Sequence, residues 1–259
     1  MILNFIKYQG AGNDFILIDN RQRLYDQLDV ARLCHPKFGI GADGLMLLQN
    51  TNGYDFEMVY YNSDGNTSTM CGNGGRCIVD FAKRLNIIES STVFKAIDGR
   101  HDAIWSQEKV ELKMVDVHAL ASVGESYDLN TGSPHFVVFV NNVNEIDLLN
   151  EARKIRYDTP YEKEGINVNF VEIINDTSIK VRTYERGVEN ETLSCGTGVT
   201  ASSIALSKKL NSTNGTYNIA IQTPGGNLEV KYSLKDKHYN EVWLIGPATM
   251  VFEGSIVLN

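Results

Sequence analysis

The sequence is short of positive charge, of cysteine and of long apolar runs, and each shortage removes a class of function. Lys and Arg number 24 against 32 Asp and Glu, for a formal charge of −8 and a pI near 5.2. That balance repels phosphate backbones, and no cluster of Lys and Arg interleaved with aromatics offsets it, so nucleic acid is not an expected partner. The longest apolar runs, such as FVVFV at 136–140, are too short to span a bilayer. The opening MILNFIKYQG alternates like a strand and lacks the apolar core and cleavage site of a secretory signal. A cytoplasmic protein without a membrane partner is expected. The four cysteines, Cys34, Cys71, Cys77 and Cys195, have neither CxxC spacing nor the density of a disulfide scaffold, which points to reduced thiols and away from a thiol oxidoreductase or redox sensor. No Cys or His pair has zinc-ligand spacing, which disfavours a metal-binding module.

What is present is an internal repeat. GNDFILID (12–19) and GSPHFVVFV (132–140) are each a polar turn running into a strand. Further on, YYNSDGNTSTMCGNGGRCIVDFAKRL (60–85) lines up with TYERGVENETLSCGTGVTASSIALSKKL (183–210): tyrosine, polar loop, Cys-Gly-x-Gly, helix, Leu. Asn13 lies 58 residues before Cys71, and His135 lies 60 before Cys195, so the spacing repeats as well. After each Cys-Gly-x-Gly the apolar period becomes helical, on Cys77, Ile78, Phe81, Ala82 and Leu85 in one copy and Val199, Ser202, Ser203, Leu206 and Leu210 in the other. Elsewhere, runs such as DFEMVYY, KVELKMV, NVNFVEII, SIKVRTY and LEVKYSL read as strands. The expected fold is α+β: two similar domains, 1–116 and 117–246, each a curved, mostly antiparallel sheet around one main helix. The tail 247–259 is expected to return to the first domain, with an active site between the two.

Cys71 and Cys195 each stand just before a helix, where unpaired N–H groups and the positive end of the macrodipole favour anions. There a thiol ionises more readily than its free value of about 8.5 allows. The N–H groups of Gly72, Asn73, Gly196 and Thr197 are placed to cradle a carboxylate. A single cysteine by a glycine turn is commonly a small buried hydrophobe; two at equivalent repeat positions indicate function. One thiolate and one thiol on opposite faces of a carbon form the acid–base pair of a racemase or epimerase, and the helix starts would stabilise charge on the substrate carboxylate. Cys77, on the apolar stripe, and Cys34, in the helix-like DVARLCHPKFG, read as packing residues.

At these residues the chain resembles the diaminopimelate epimerase family. The resemblance runs end to end through GAGNDF (10–15), FGIGADG (38–44), MCGNGGRC (70–77), INVNF (166–170), YERGVENETLSCGTG (184–198), TPGGNLEV (223–230) and GPATMVFEG (246–254). It implies interconversion of LL- and meso-diaminopimelate on the route to lysine and peptidoglycan, with no pyridoxal phosphate, no other cofactor and no metal, and a homodimer. Residue by residue, it implies Cys71 and Cys195 as the acid–base pair, Asn13, Asn62, Asn167, Glu185 and Arg186 as substrate contacts, and Gly72, Asn73, Gly196 and Thr197 as the backbone cradle. Ser133 stands where the family often has Asn, and Gly44 where it often has Gln. His135 follows the family's Pro-His and is not assigned a catalytic role. A proline racemase or a phenazine-biosynthesis-type isomerase is the alternative within the same fold, and a distal site at Glu185 and Arg186 distinguishes diaminopimelate from those substrates.

Overall fold

The alternation of ILNFIKYQG forms β1 (Ile2–Gly10), with Leu3, Phe5 and Tyr8 turned into the core. It is one of eight strands in the first of two compact units in a computed structural model that describes residues 1–25 and 27–258. This unit comprises Met1–Leu112 and Gly246–Asn259; the second is Lys113–Ile245. In the first, β1 is followed by β2 (Asn13–Asp19), α1 (Val30–Cys34), β3 (Gly44–Gln49), β4 (Phe56–Asn62), α2 (Gly72–Arg84), β5 (Ser91–Ala96), β6 (Gly99–Ser106) and β7 (Lys109–Lys113). The chain returns at its end as a strand, Thr249–Val257, antiparallel to β1 from Ile2↔Val257 to Gln9↔Thr249. The pairs β2–β3 and β4–β5 are parallel, each across a helix-containing connection, and the other pairs are antiparallel.

The second unit follows the same plan. Its elements are β8 (Leu120–Val123), β9 (Ser126–Asn130), β10 (Pro134–Val140), α3 (Leu148–Arg156), β11 (Asn167–Asn175), β12 (Ser178–Glu185), β13 (Asn190–Thr192), α4 (Gly196–Lys209), β14 (Gly215–Thr223), β15 (Gly226–Lys235) and β16 (His238–Pro247), with a 3-10 turn at Val143–Glu145. Its parallel pairs, β10–β11 and β12–β14, again span helices. Each unit is thus an α+β domain with one small and one main helix.

The main helices are α2 and α4. Cys77, Ile78, Phe81 and Ala82 are buried on α2, as are Val199, Ser202, Ser203 and Leu206 on α4. Each helix ends one residue before the last position of the stripe that the periodicity suggests. Leu85 and Leu210 are C-caps, and Leu210 is exposed, because the chain leaves the helix there. The first turn of α2 is buried on all sides, and Gly10 at the end of β1 lies so close that a Cβ would come within 2.9 Å of the Asn73 carbonyl oxygen. The α1 helix is short because Pro36 follows it and restricts His35 to an extended conformation.

Candidate active site

In the first unit the site is built on the start of α2. Cys71 is the N-cap, half-buried with extended backbone; its carbonyl accepts from the Gly75 amide (2.7 Å), and its side chain makes no capping hydrogen bond. Gly72 and Asn73 open the helix and are buried. The Asn73 amide donates to Asn13 Oδ1 (2.7 Å) at the start of β2, and Asn13 Nδ2 donates to Asp43 Oδ2 (2.8 Å). Asp43 also accepts from the Asp14 amide, and Asp14 is ion-paired with Lys7 at 2.8 Å. Asn62 ends β4 opposite Gly44, and its backbone closes a turn with Asn66 and Gly65. A side chain at position 44 would meet the Tyr60 ring at 2.5 Å and the Tyr61 carbonyl oxygen at 2.7 Å. The space that a glutamine would need is therefore filled by Tyr60.

In the second unit Cys195 is the N-cap of α4 and is only 8% exposed. Its sulfur lies 3.4 Å from Thr197 Oγ1, which lies 2.8 Å from His135 Nε2. The imidazole is fully buried, and burial together with the positive charge of Arg186 drives its pKa down to about 3, so it is neutral. Its tautomer follows from Asn169. That amide donates to the Phe136 carbonyl and accepts from Thr183 Oγ1, so it presents N–H to His135 Nδ1 (3.0 Å). The ring hydrogen is therefore on Nε2, donated to Thr197, whose hydroxyl keeps its own hydrogen for the cysteine sulfur. Thr131 Oγ1 holds the Thr197 carbonyl at 2.8 Å, and Gly196 is buried behind it.

Asn167, 3% exposed, donates to Ser133 Oγ (2.9 Å) and the Pro134 carbonyl (2.8 Å), and accepts from the Arg186 amide (2.9 Å). It ties the beginnings of β10 and β11 to the turn after β12. The Ser133 hydroxyl thus has a defined role as Asn167's acceptor. Glu185 ends β12 and accepts from Thr192 Oγ1 at 3.0 Å. The exposed Arg186 side chain donates to the Glu164 carbonyl (2.9 Å) and has no carboxylate partner among the described residues. The nearby Glu189 is committed elsewhere, accepting from Arg156, Tyr157, Tyr184 and the Gly187 amide.

Asp43, Arg76, Thr131, Asn169, Thr183 and Glu189 take part in these networks without having been singled out by sequence. All but Thr131 stand inside stretches quoted above, but only tertiary pairing shows what each one holds. Cys77 is fully buried among core residues, and burial pushes its thiol well above the ordinary range; the Cys34 thiol is likewise pushed up, to about 11. Both behave as packing residues.

The sequence pattern of the diaminopimelate epimerase family matches residues 5–118 and 127–251. A diaminopimelate epimerase from Flavobacterium psychrophilum is 51% identical over 258 residues, covering 98% of this chain and all of the relative. One from Chlorobaculum tepidum is 39% identical, covering 96% and 99%. Among solved structures, a PhzF-family phenazine biosynthesis protein from Bacillus anthracis has a TM-score of 0.79 at 12% identity, covering both chains completely. A hydroxyproline epimerase from Agrobacterium vitis, solved with trans-4-hydroxy-L-proline bound, has a TM-score of 0.65 at 13% identity, covering 98% and 92%. At those identities the two structures establish a shared fold. With a family match across both units and a relative identical at half of its positions, the chain is an epimerase and belongs to the diaminopimelate epimerase family.

Proposed function

We propose that this enzyme interconverts LL- and meso-diaminopimelate, supplying precursors of lysine and peptidoglycan, with Cys71 and Cys195 as a cofactor-independent acid–base pair. The observation that carries the reading is the repeated construction: two units of like strand order, each with one cysteine as the N-cap of its main helix. In each direction one sulfur, as thiolate, takes the α-hydrogen as a proton. The electron pair left on carbon delocalises into the substrate carboxylate, and the other sulfur, as thiol, returns a proton to the opposite face. The reaction requires both sulfurs to reach the α-carbon, and the first-turn N–H groups of the two helices to accept the growing carboxylate charge.

Asn13, Asn62, Asn167, Glu185 and Arg186 are assigned to the substrate. Arg186 supports this assignment because, among the described residues, its guanidinium has only a backbone carbonyl as partner, and a planar fork suits a carboxylate. A distal amino acid end would engage it, whereas proline has none. We further assign the enzyme to the cytoplasm, as a homodimer. The dimer is supported by exposed Val251, Phe252 and Val257 on the C-terminal strand, beside exposed Met1 and Ile2.

The test is α-hydrogen exchange and epimer formation from meso-diaminopimelate in deuterated water, with proline as control. Wild type should turn over diaminopimelate and not proline. Cys71→Ala and Cys195→Ala should each lose activity, and Cys34→Ala and Cys77→Ala should keep most of it. Near-normal turnover by Cys195→Ala, or brisk turnover of proline by wild type, would overturn the reading.

A further inference from the structure

Among the described residues Arg76 is the largest fully buried side chain, and its exposure is zero. A buried cation is costly unless it is paired, yet among the described residues the hydrogen-bond acceptors of Arg76 are all neutral: the Gly72 carbonyl (3.2 Å), Asn73 Oδ1 (2.9 Å) and the Pro247 carbonyl (3.4 Å). Gly72 and Asn73 are the two residues that follow Cys71. The other charged groups on the elements around α2 have partners: Lys7 with Asp14, Asp98 with His101, Asp80 with Tyr8 and Trp105, Asp102 with Arg100, and Arg84 with Glu253. Lys83 is half-exposed and lies over Trp105. Among the described residues, no carboxylate is paired with Arg76.

The corresponding helix start in the second unit is built differently. Aligned on its cysteine, α4 has Thr200 where α2 has Arg76, and the Thr200 hydroxyl turns back to the Gly196 carbonyl at 2.9 Å. Cys195 is met by a hydroxyl backed by a neutral imidazole, with no cation in the first turns of α4. The two helix starts are alike in backbone and unlike in charge.

We propose that Arg76 is a positioning residue for Cys71, its buried guanidinium favouring the thiolate there and making Cys71 the more acidic of the two reactive thiols. Burial disfavours the Arg76 cation, and Cys77 and Cys71 are the two ionisable groups that would offset this as thiolates. Cys77 is held as a thiol by its own burial, which leaves Cys71 to carry the matching charge. The same guanidinium fixes the Asn73 amide. Being donor-only, Arg76 turns Asn73 Oδ1 toward itself, so Asn73 Nδ2 faces Asn13. The donor-only guanidinium and the acceptor-only Asp43 carboxylate thus set the polarity of one chain of amides from opposite ends.

The proposal deepens the two-thiol reading and rests on it, but its test needs no substrate, so the two can fail separately. Iodoacetamide alkylation of each cysteine is followed across pH by peptide mass spectrometry in wild type, Arg76→Met and Arg76→Lys. In wild type the Cys71 midpoint should lie below that of Cys195. Removing an adjacent opposite charge raises a thiol pKa, so Arg76→Met should move the Cys71 midpoint up by about one to three pH units, with Cys195 unmoved and Arg76→Lys in between. A wild-type Cys71 that titrates at or above Cys195 overturns the proposal, and that comparison stands even if Arg76→Met does not fold. So does a folded Arg76→Met protein whose Cys71 midpoint is unchanged, or whose two midpoints rise together as they would after general loosening.

Discussion

At the scale of the residue, the second cysteine depends on a neighbour that has no room to spare. Gly198 sits in the first turn of α4, where a Cβ would fall 2.4 Å from Asn169 Oδ1 and 3.4 Å from Cys195 Sγ. Asn169 cannot yield cheaply, because it is fully buried and bonded to His135, Thr183 and Phe136. Gly198→Ala therefore sets two effects against each other. Alanine improves helix propensity by about 0.5–1 kcal/mol, while displacing Asn169 leaves buried polar groups unsatisfied at about 1–3 kcal/mol. We expect a modest net loss of stability and a larger loss of turnover, since His135 then loses the partner that sets its tautomer. Thermal melts and kcat measured on the same preparation decide it; unchanged kcat would show that the Asn169–His135–Thr197 relay does not support Cys195.

At the scale of the element, the turn between β12 and β13 is held by one carboxylate. Glu189 Oε1 accepts from Arg156 Nε (3.2 Å), Arg156 Nη2 (3.1 Å) and the Gly187 amide (3.1 Å), and Oε2 from the hydroxyls of Tyr184 (3.0 Å) and Tyr157 (3.2 Å). Burial alone would raise its pKa, but the hydrogen bonds from Gly187, Tyr184 and Arg156 outweigh that and hold it below the ordinary 4.5. A depressed folded pKa contributes stability that is present above 4.5 and is lost as pH falls through the folded value. Glu189→Gln, whose amide cannot accept five donors, should be less stable at neutral pH by about 1–3 kcal/mol, and its deficit against wild type should shrink below pH 4.5. Because Arg186, the proposed substrate contact, lies in this turn, KM for diaminopimelate should rise. Urea melts at several pH values check the first part; a deficit that stays constant into acid would remove Glu189 as its source.

Much of this element-scale order is legible in sequence. The repeat, the paired Cys-Gly-x-Gly motifs, the strands and the two main helices follow from local periodicity and from turn residues such as Gly12 and Gly187. The polar networks are not legible, because their members are distant in sequence: Asn13 meets residues 43 and 73, and His135 meets 169 and 197. Those meetings depend on the parallel registers Phe15↔Gly44 and His135↔Asn167, which are set by crossovers through α1 and α3 and not by any nearby turn. Arg76 is the clearest case. Arginine is seldom fully buried, and only the returning chain at Pro247, together with the packing around α2, shows this one to be so.

At the scale of the molecule, the first unit is discontinuous in sequence and is completed by the last residues of the chain. Ile256 and Leu258 pack against a cluster containing Leu3, Phe5, Ile16, Val30 and Leu45, and Phe252 meets the Phe5 ring edge-on at 5.9 Å. Gly254 allows this contact, since a Cβ there would lie 2.9 Å from Phe5 Cζ. Deleting 248–259 would leave Pro247, and with it Arg76's third acceptor. It would strip β1 of one of its two antiparallel partners, leaving β2, and expose Phe5, whose burial is worth about 1.5–3 kcal/mol; lost strand hydrogen bonds and the removal of Ile256 and Leu258 add to this. The chain carries its own reporters, because its two tryptophans fall one in each unit. Trp105 donates to Asp80 Oδ1 at 2.7 Å, and Trp243 lies 5.5 Å from Lys113 Nζ. Trp243→Phe leaves a probe of the first unit and Trp105→Phe a probe of the second, so urea titrations of each, with and without the tail, separate the two. The deletion should lower the midpoint reported by Trp105 well below its full-length value, while that reported by Trp243 moves much less, because residues 113–245 contain all the strands of the second unit apart from the final residues of β16. Equal shifts of both probes would mean that the two units unfold as one cooperative body, and the tail would then be a support of the whole enzyme.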